Sequence, residues 1–146
     1  IDGSAFKKYD SMSVYGYAKG MAALYWSAWT RKYPEHVVLT VSPGASRGTN
    51  ALAQDSLSSF MKFMFPIVIK ILIVFGGAHT AAVGAKRYVD AVNREGEFEK
   101  MESGAFWASL HGVSGRVGDQ TKFRGGAQYG DVAKQEAAYQ AIRAYV

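Results

Sequence analysis

Tyr15 and Lys19 are the residues of this chain whose types and spacing best suit chemistry. An α-helix turns once in about 3.6 residues, so side chains at positions i and i+4 lie one turn apart on the same face. A lysine ammonium within a few ångströms of a phenol favours the phenolate, and a phenol that can lose and regain its proton serves as a general acid and base. The motif is short, so its meaning depends on the elements that surround it.

The pair lies at the start of a predicted helix. Over residues 14–32 apolar side chains recur at helical spacing, and Pro34 ends the pattern. Residues 36–42 form a short, β-branched, nearly continuous apolar run, which is typical of a strand covered on both faces of a parallel sheet, and Pro43-Gly44 ends it. The apolar positions of the helix are Met21, Leu24, Tyr25, Ala28 and Trp29.

The rest of the sequence predicts further helices and a second strand. Glycine and proline separate these segments, and Asp131 is a suitable N-cap for the last helix. The predicted helices span residues 51–65, 67–75, 78–93 and the segment after Asp131, and the second strand spans 105–110. The predicted connections are 46–50, 94–100 and 112–130. The apolar face of the third helix, at 78–93, carries Ala81, Ala85, Tyr88, Val89 and Val92.

The order of helix, strand, helices, strand and helix predicts an α/β fold with parallel strands joined by right-handed crossovers. The sequence predicts two strands and about five helices. Two strands are too few for a stable open sheet of this kind. We expect the strand at 37–41 to pair with the strand at 105–109 on one side. Its other edge should recruit a further strand, so we expect a homo-oligomer.

Composition limits the classes of function. Apolar residues make up 49% and charged residues 20% of the 146, as in one globular domain covering residues 1–146. The formal charge is +5, but the 17 basic residues are scattered, so a nucleic acid partner is not expected, whereas a negatively charged cofactor suits the excess. The chain has no cysteine, and its three histidines are far apart, so no metal site is expected.

No membrane span is predicted. The most apolar stretch, residues 60–75, is interrupted by Lys62, Pro66 and Lys70, and its uncharged runs are far shorter than the roughly 20 residues a span needs. This stretch suits a lipophilic substrate, the core or an oligomer interface equally well. The first residues lack the basic and apolar regions of a signal peptide. The absence of cysteine is typical of a cytoplasmic protein, which we expect.

Taken in order, these elements resemble the C-terminal half of a short-chain dehydrogenase/reductase. In that family a Tyr-x-x-x-Lys pair opens a long helix, and the next strand ends in Pro-Gly with a threonine a few residues later, here Thr49. The stretch 103–109, with Asp119-Gln120 downstream, is similar to the branch that includes retinol and protochlorophyllide reductases. The resemblance implies half of a Rossmann-type doubly wound parallel sheet, with the N-terminal nucleotide-binding half absent from the sequence.

The resemblance also implies a function: an oxidoreductase that uses NAD or NADP to interconvert a carbonyl and an alcohol, or to reduce a double bond. Tyr15 would transfer a proton to or from a small substrate, and Lys19 would hold the nicotinamide ribose and stabilise the phenolate. The backbone of Pro43, Gly44 and Ala45 would flank the nicotinamide. Thr49 would reach its carboxamide or a phosphate, although the loop before Thr49 is one residue longer than the commonest family spacing.

The sequence departs from the family in what it lacks. Gly112, Gly115 and Gly118 have no strand-turn-helix context, so they are not a dinucleotide-binding fingerprint. The residue that selects NAD or NADP and the family's catalytic serine and asparagine are not assigned, and neither is the substrate. A fragment of this kind is expected to be inactive alone. The alternative is a non-catalytic oligomerising module derived from the family, and a glycine-rich strand-turn-helix before Ile1 in the natural reading frame would favour the enzyme.

We therefore predict that the 146-residue chain alone does not bind NADH or NADPH appreciably. Most cofactor affinity in such folds comes from a pyrophosphate held by a glycine-rich turn at a helix N-terminus, which this sequence does not contain. Isothermal titration calorimetry checks this, and micromolar binding by the isolated chain would contradict it.

Overall fold

The computed structural model describes residues 11–47, 64, 67, 79–112 and 114–145, and in this part the protein is α/β. Of the predicted helices at 51–65 and 67–75, only Met64 and Ile67 are described, and both are helical. The α-helices are α1 (Ser11–Lys32), α2 (Ala81–Asn93), α3 (Ala127–Gly130) and α4 (Val132–Arg143). The strands are β1 (Thr40–Val41), β2 (Ser46–Arg47), β3 (His79–Thr80), β4 (Phe106–Ser109) and β5 (Val117–Asp119). Two 3₁₀ turns lie at Gly96–Phe98 and Arg124–Gly126.

The predicted pairing of the first strand with the strand at 105–109 is confirmed, because β1 and β4 are neighbours in one sheet. The predicted extent of the first strand, residues 36–42 covered on both faces, is wrong: only Thr40 and Val41 are in β1, and Val37 is 67% exposed. The Gly104 N–H donates to the Val38 carbonyl at 3.0 Å, and the Ser42 N–H donates to the Trp107 carbonyl at 2.8 Å. The partner of Val38 is Gly104 and the partner of Ser42 is Trp107, so both segments run in the same direction and the two strands are parallel. The sheet order is β1-β4-β5, which leaves β1 at an edge within the described residues.

The third strand corrects the expectation of a wholly parallel layer and of a loop over 112–130. The Leu110 N–H donates to the Arg116 carbonyl at 3.0 Å, and the Gln120 N–H donates to the Phe106 carbonyl at 2.8 Å. These partners run in opposite directions, so β4 and β5 form an antiparallel hairpin and the sheet is mixed. The glycines that suggested a long loop instead form the turn and a strand position of this hairpin.

A second, two-stranded parallel sheet pairs β2 with β3, with Ser46 opposite His79 and Arg47 opposite Thr80. The predictions of a loop at 46–50 and of a helix from residue 78 are therefore wrong over these residues. The helix begins at Ala81 because the Thr80 hydroxyl accepts a hydrogen bond from the Val83 N–H at 3.4 Å and caps it. β2 and β3 have two residues each and polar sequences, so no apolar run marks them.

The chain divides into two compact units. The first takes its described residues from Ile1–Thr40, Glu102–Phe106 and Asp119–Val146, and the second from Val41–Met101 and Trp107–Gly118.

In the first unit, α1 packs against α4. Tyr25 stacks on Tyr139 with ring centroids 5.3 Å apart and planes 10° apart, and Lys32 forms an ion pair with Glu136 at 3.0 Å. The predicted N-cap is confirmed, because the Asp131 carboxylate accepts hydrogen bonds from the first N–H groups of α4. This packing fixes the second half of α1.

The buried face of α1 consists largely of small side chains. Ala23, Ser27 and Thr30 are buried along it, and the Ser27 hydroxyl donates to the Gly104 carbonyl at 2.5 Å. Of the predicted apolar positions only Ala28 is fully buried, and the others are half-buried. Small residues allow α1 to approach the backbone before β4 closely, which a pattern of large apolar residues does not reveal.

The second unit has its core around Phe98, Met101 and Trp107, with the Phe98 and Trp107 ring centroids 5.5 Å apart. Helix α2 belongs to this unit, and its buried residues are Gly84, Arg87 and Ala91. The predicted apolar face of α2 is instead exposed, with Val92 the most open. No helix of the described residues is long and apolar enough to cross a membrane.

We predict that Gly104→Ala lowers the free energy of unfolding by about 1–3 kcal/mol. Gly104 has a φ of 81°, and an added Cβ would lie 2.1 Å from the Thr30 hydroxyl oxygen. Gly16→Ala is the matched control, since its Cβ meets nothing within 4 Å and removing a helix-interior glycine should stabilise by roughly 0.5–1 kcal/mol. Urea unfolding measures both; equal stability of Gly104→Ala and wild type would contradict the close approach.

Candidate functional site

The structure places Tyr15 and Lys19 one turn apart on α1, as the spacing predicts. The Lys19 ammonium nitrogen lies 5.6 Å from the centroid of the Tyr15 ring, which is within the range of a cation–π contact. Tyr15 is 59% exposed and Lys19 is exposed as well. Both groups are therefore open to a ligand, and the cation already lies beside the phenol.

Pro43, Gly44 and Ala45 form a half-buried turn directly after β1, and they belong to the second unit, whereas Tyr15 and Lys19 belong to the first. The structure brings each of the two sets together within its own unit. Thr49, the remaining predicted cofactor contact, lies outside the described residues.

The turn requires glycine at its centre. Gly44 has a φ of 73°, a left-handed conformation that side chains rarely adopt. Its N–H donates to the Ser42 hydroxyl oxygen at 3.2 Å, so the residue before Pro43 closes the turn. A residue with a Cβ would be strained at this position.

His79 holds the same turn through two hydrogen bonds. Its N–H donates to the Ala45 carbonyl at 3.0 Å, and its Nε2 lies 2.6 Å from the Pro43 carbonyl oxygen. A carbonyl oxygen only accepts, so Nε2 carries the proton and donates. Burial, and then the positive charge of Arg87, lower the pKa of His79 below its ordinary value of 6.5. The neutral Nε2–H tautomer therefore makes this contact at neutral pH.

Arg87 holds the turn from the α2 side. It is only 6% exposed, and its guanidinium donates to the Ser42 carbonyl at 3.3 Å, the Ser109 hydroxyl at 3.1 Å and the Gly115 carbonyl at 2.8 Å. Burial lowers the pKa of Arg87, and the carboxylate of Glu97 partly opposes this. The cation thus joins three segments of one unit through oxygen acceptors.

Sequence reasoning did not predict a role for His79 or Arg87. The spacing of Arg87 on α2 could have indicated its role, because Arg87 lies three residues after Gly84 and four before Ala91. A lone arginine between small residues at helical spacing indicates a buried cation reaching a backbone acceptor. His79 carries no comparable signal, because its partners lie more than thirty residues earlier in the chain.

A shallow pocket of about 200 Å³ lies beside Arg87 in the second unit. It is lined by two cationic and two anionic side chains, Lys86, Arg87, Asp90 and Glu97, with apolar residues around them. Lys86 pairs with Asp90 at 2.5 Å, and none of the predicted site residues lines the pocket. In the described part of the chain no three histidine or acidic side chains are grouped closely enough to hold a metal ion.

Comparison of the chain with protein-family models, with curated proteins and with solved structures finds no match. The functional reading therefore depends on two local arrangements: the exposed tyrosine–lysine pair on α1, and the glycine turn after β1.

We predict that His79 makes the stability of the protein pH-dependent below neutrality. Its pKa is lowered in the folded state, so the unfolded chain binds the proton more tightly. The contribution to stability is complete above about pH 6.5 and is lost as the pH falls from there through the lowered folded pKa. In urea unfolding between about pH 8 and pH 5, wild type should therefore lose stability relative to His79→Gln, which keeps an N–H donor but does not titrate.

His36→Gln, at an exposed histidine of the first unit, is the matched control and should follow wild type more closely than His79→Gln does. If the free energies of unfolding of wild type and His79→Gln depended identically on pH, the lowered pKa of His79 would be contradicted.

Proposed function

We propose that the protein is an NAD(P)-dependent oxidoreductase of the short-chain dehydrogenase/reductase type, acting on a small carbonyl or alcohol or on a double bond. The observation that carries this proposal is the Tyr15–Lys19 pair, one helical turn apart on α1 and exposed to a ligand. In the proposed reaction Tyr15 gives its proton to a forming alkoxide and takes it back in the reverse direction, with the Lys19 cation one turn away on the same helix.

The elements after the pair support the same proposal. The strand that follows α1 ends in Pro43-Gly44 and runs parallel to β4, which agrees with the order of elements in the family. One edge of β1 carries no strand within the described residues, as expected where further parallel strands would continue a Rossmann-type sheet. The antiparallel β5 beside β4 is an addition to that plan.

The resemblance assigns the nicotinamide ring to the backbone of Pro43, Gly44 and Ala45. The left-handed φ and missing Cβ of Gly44 support this assignment. When bound, the cofactor supplies the hydride chemistry. The resemblance assigns the ribose hydroxyls to Lys19, and the carboxamide or a phosphate to Thr49.

A second candidate function, a non-catalytic oligomerising module, is favoured by the exposed apolar face of α2. Tyr88, Val89 and Val92 lie on this face, and each is about half exposed or more. Apolar residues left open along one helix suit a contact with another copy of the chain. We propose a homo-oligomer under either function.

Tyr15→Phe in the complete natural protein should lower kcat by at least about 100-fold while cofactor KM changes little, because only the proton-transferring hydroxyl is lost. Lys19→Ala should lower kcat and raise cofactor KM together, since the ammonium serves both the phenol and the ribose. Steady-state oxidation of NADH and NADPH with small aldehydes and ketones measures both effects.

Tyr17→Phe is the matched control, because Tyr17 is an exposed tyrosine two residues further along the same helix. It should retain near-normal kcat. Near-normal kcat in Tyr15→Phe would remove Tyr15 from the mechanism, and absence of turnover in wild type across the substrate panel would favour the oligomerising module.

A further inference from the structure

Successive polar groups of the turn after β1 form hydrogen bonds with other residues of the unit. The Ser42 carbonyl accepts from Arg87, the Pro43 carbonyl accepts from His79 Nε2, and the Ala45 carbonyl accepts from the His79 N–H. The Gly44 N–H donates to the Ser42 hydroxyl. The turn is therefore held by a histidine on β3 and an arginine on α2, both distant from it in sequence.

The two donors constrain the turn in different ways. His79 contacts it through backbone and side chain at once, which fixes both the position of Ala45 and the direction of the Pro43 carbonyl. Arg87 fixes the Ser42 carbonyl, while its other nitrogen is held by Gly115. A planar guanidinium with several fixed donors maintains such an arrangement better than a single flexible ammonium would.

Orientation of the carbonyls matters at this place. A peptide plane that rotates at Pro43 or Gly44 changes which atoms a ligand on the turn would meet, and a misplacement of about 1 Å can cost up to about 100-fold in rate. The left-handed Gly44 is a conformation that glycine can readily leave, so its neighbours have to hold it.

We propose that His79 and Arg87 are positioning residues that hold the Ser42–Ala45 turn in the orientation needed to receive the nicotinamide ring. The inference rests on the proposed function and adds to it two residues that do not themselves touch the cofactor. They act through the carbonyls of Ser42, Pro43 and Ala45.

The test compares two substitutions of His79 in the complete natural protein. His79→Leu removes the side-chain donor at similar size, and His79→Gln restores an N–H near the position of Nε2. We expect His79→Leu to raise cofactor KM about tenfold with little change in substrate KM, and His79→Gln to recover most of the loss. Amide hydrogen exchange at Gly44 should be faster by about tenfold or more in His79→Leu and near wild type in His79→Gln.

Arg87→Lys tests the second residue, because it keeps the charge but loses the fork that reaches the Ser42 carbonyl. It should raise cofactor KM in the same direction. The controls are His36→Leu and Arg124→Lys, exposed positions of the first unit, which should leave cofactor KM and Gly44 exchange unchanged. If His79→Leu does not fold, His79→Asn takes its place, since its shorter amide reaches less far toward the Pro43 carbonyl.

Two failures are distinguishable. Wild type that turns over no NAD(P)H substrate contradicts the proposed function and the positioning role with it. Active wild type combined with unchanged cofactor KM and unchanged Gly44 exchange in folded His79→Leu and Arg87→Lys overturns the positioning role alone. A lower melting temperature without a change in cofactor KM also overturns it, because that is the result expected of residues that only stabilise the fold.

Discussion

The buried guanidinium of Arg87 is the constraint on which the second unit depends. A cation removed from water is costly unless its donors are satisfied, so oxygen acceptors must converge on it. They come from Ser42 after β1, from Ser109 at the end of β4 and from Gly115 in the hairpin turn. The ends of two parallel strands and the turn of an antiparallel hairpin are thereby joined to one side chain of α2.

In the first unit the corresponding constraint is the close approach of α1 to the backbone at Gly104. The small side chains of Ala23, Ser27 and Thr30 bring α1 against the backbone at Gly104, where the Ser27 hydroxyl binds the Gly104 carbonyl. This contact fixes the helix in rotation as well as in distance. The rotation in turn determines that Tyr15, just over three turns before Ser27, lies on an exposed face.

The sequence predicts what local periodicity and caps determine. It predicts α1, the Asp131 cap, the neighbouring strands β1 and β4, and the placement of Lys19 one turn after Tyr15. It does not predict the β2–β3 pair or β5, whose two or three residues find partners only in the folded chain. It also misses the buried faces of α1 and α2, because Thr30 and Arg87 are buried for their contacts and not for their hydrophobicity.

The packing of α1 on α4 has a consequence for folding. Arg31 meets Gln135, 104 residues later in the chain. A contact of such separation carries a large loop-closure cost and forms slowly. During synthesis α1 leaves the ribosome long before its partner exists, so the face that includes Ala28 stays uncovered and exposed to aggregation or to a chaperone until α4 is made. The helix that carries the candidate catalytic pair is therefore secured only after α4, whose Gln135 lies 104 residues beyond Arg31, has been made.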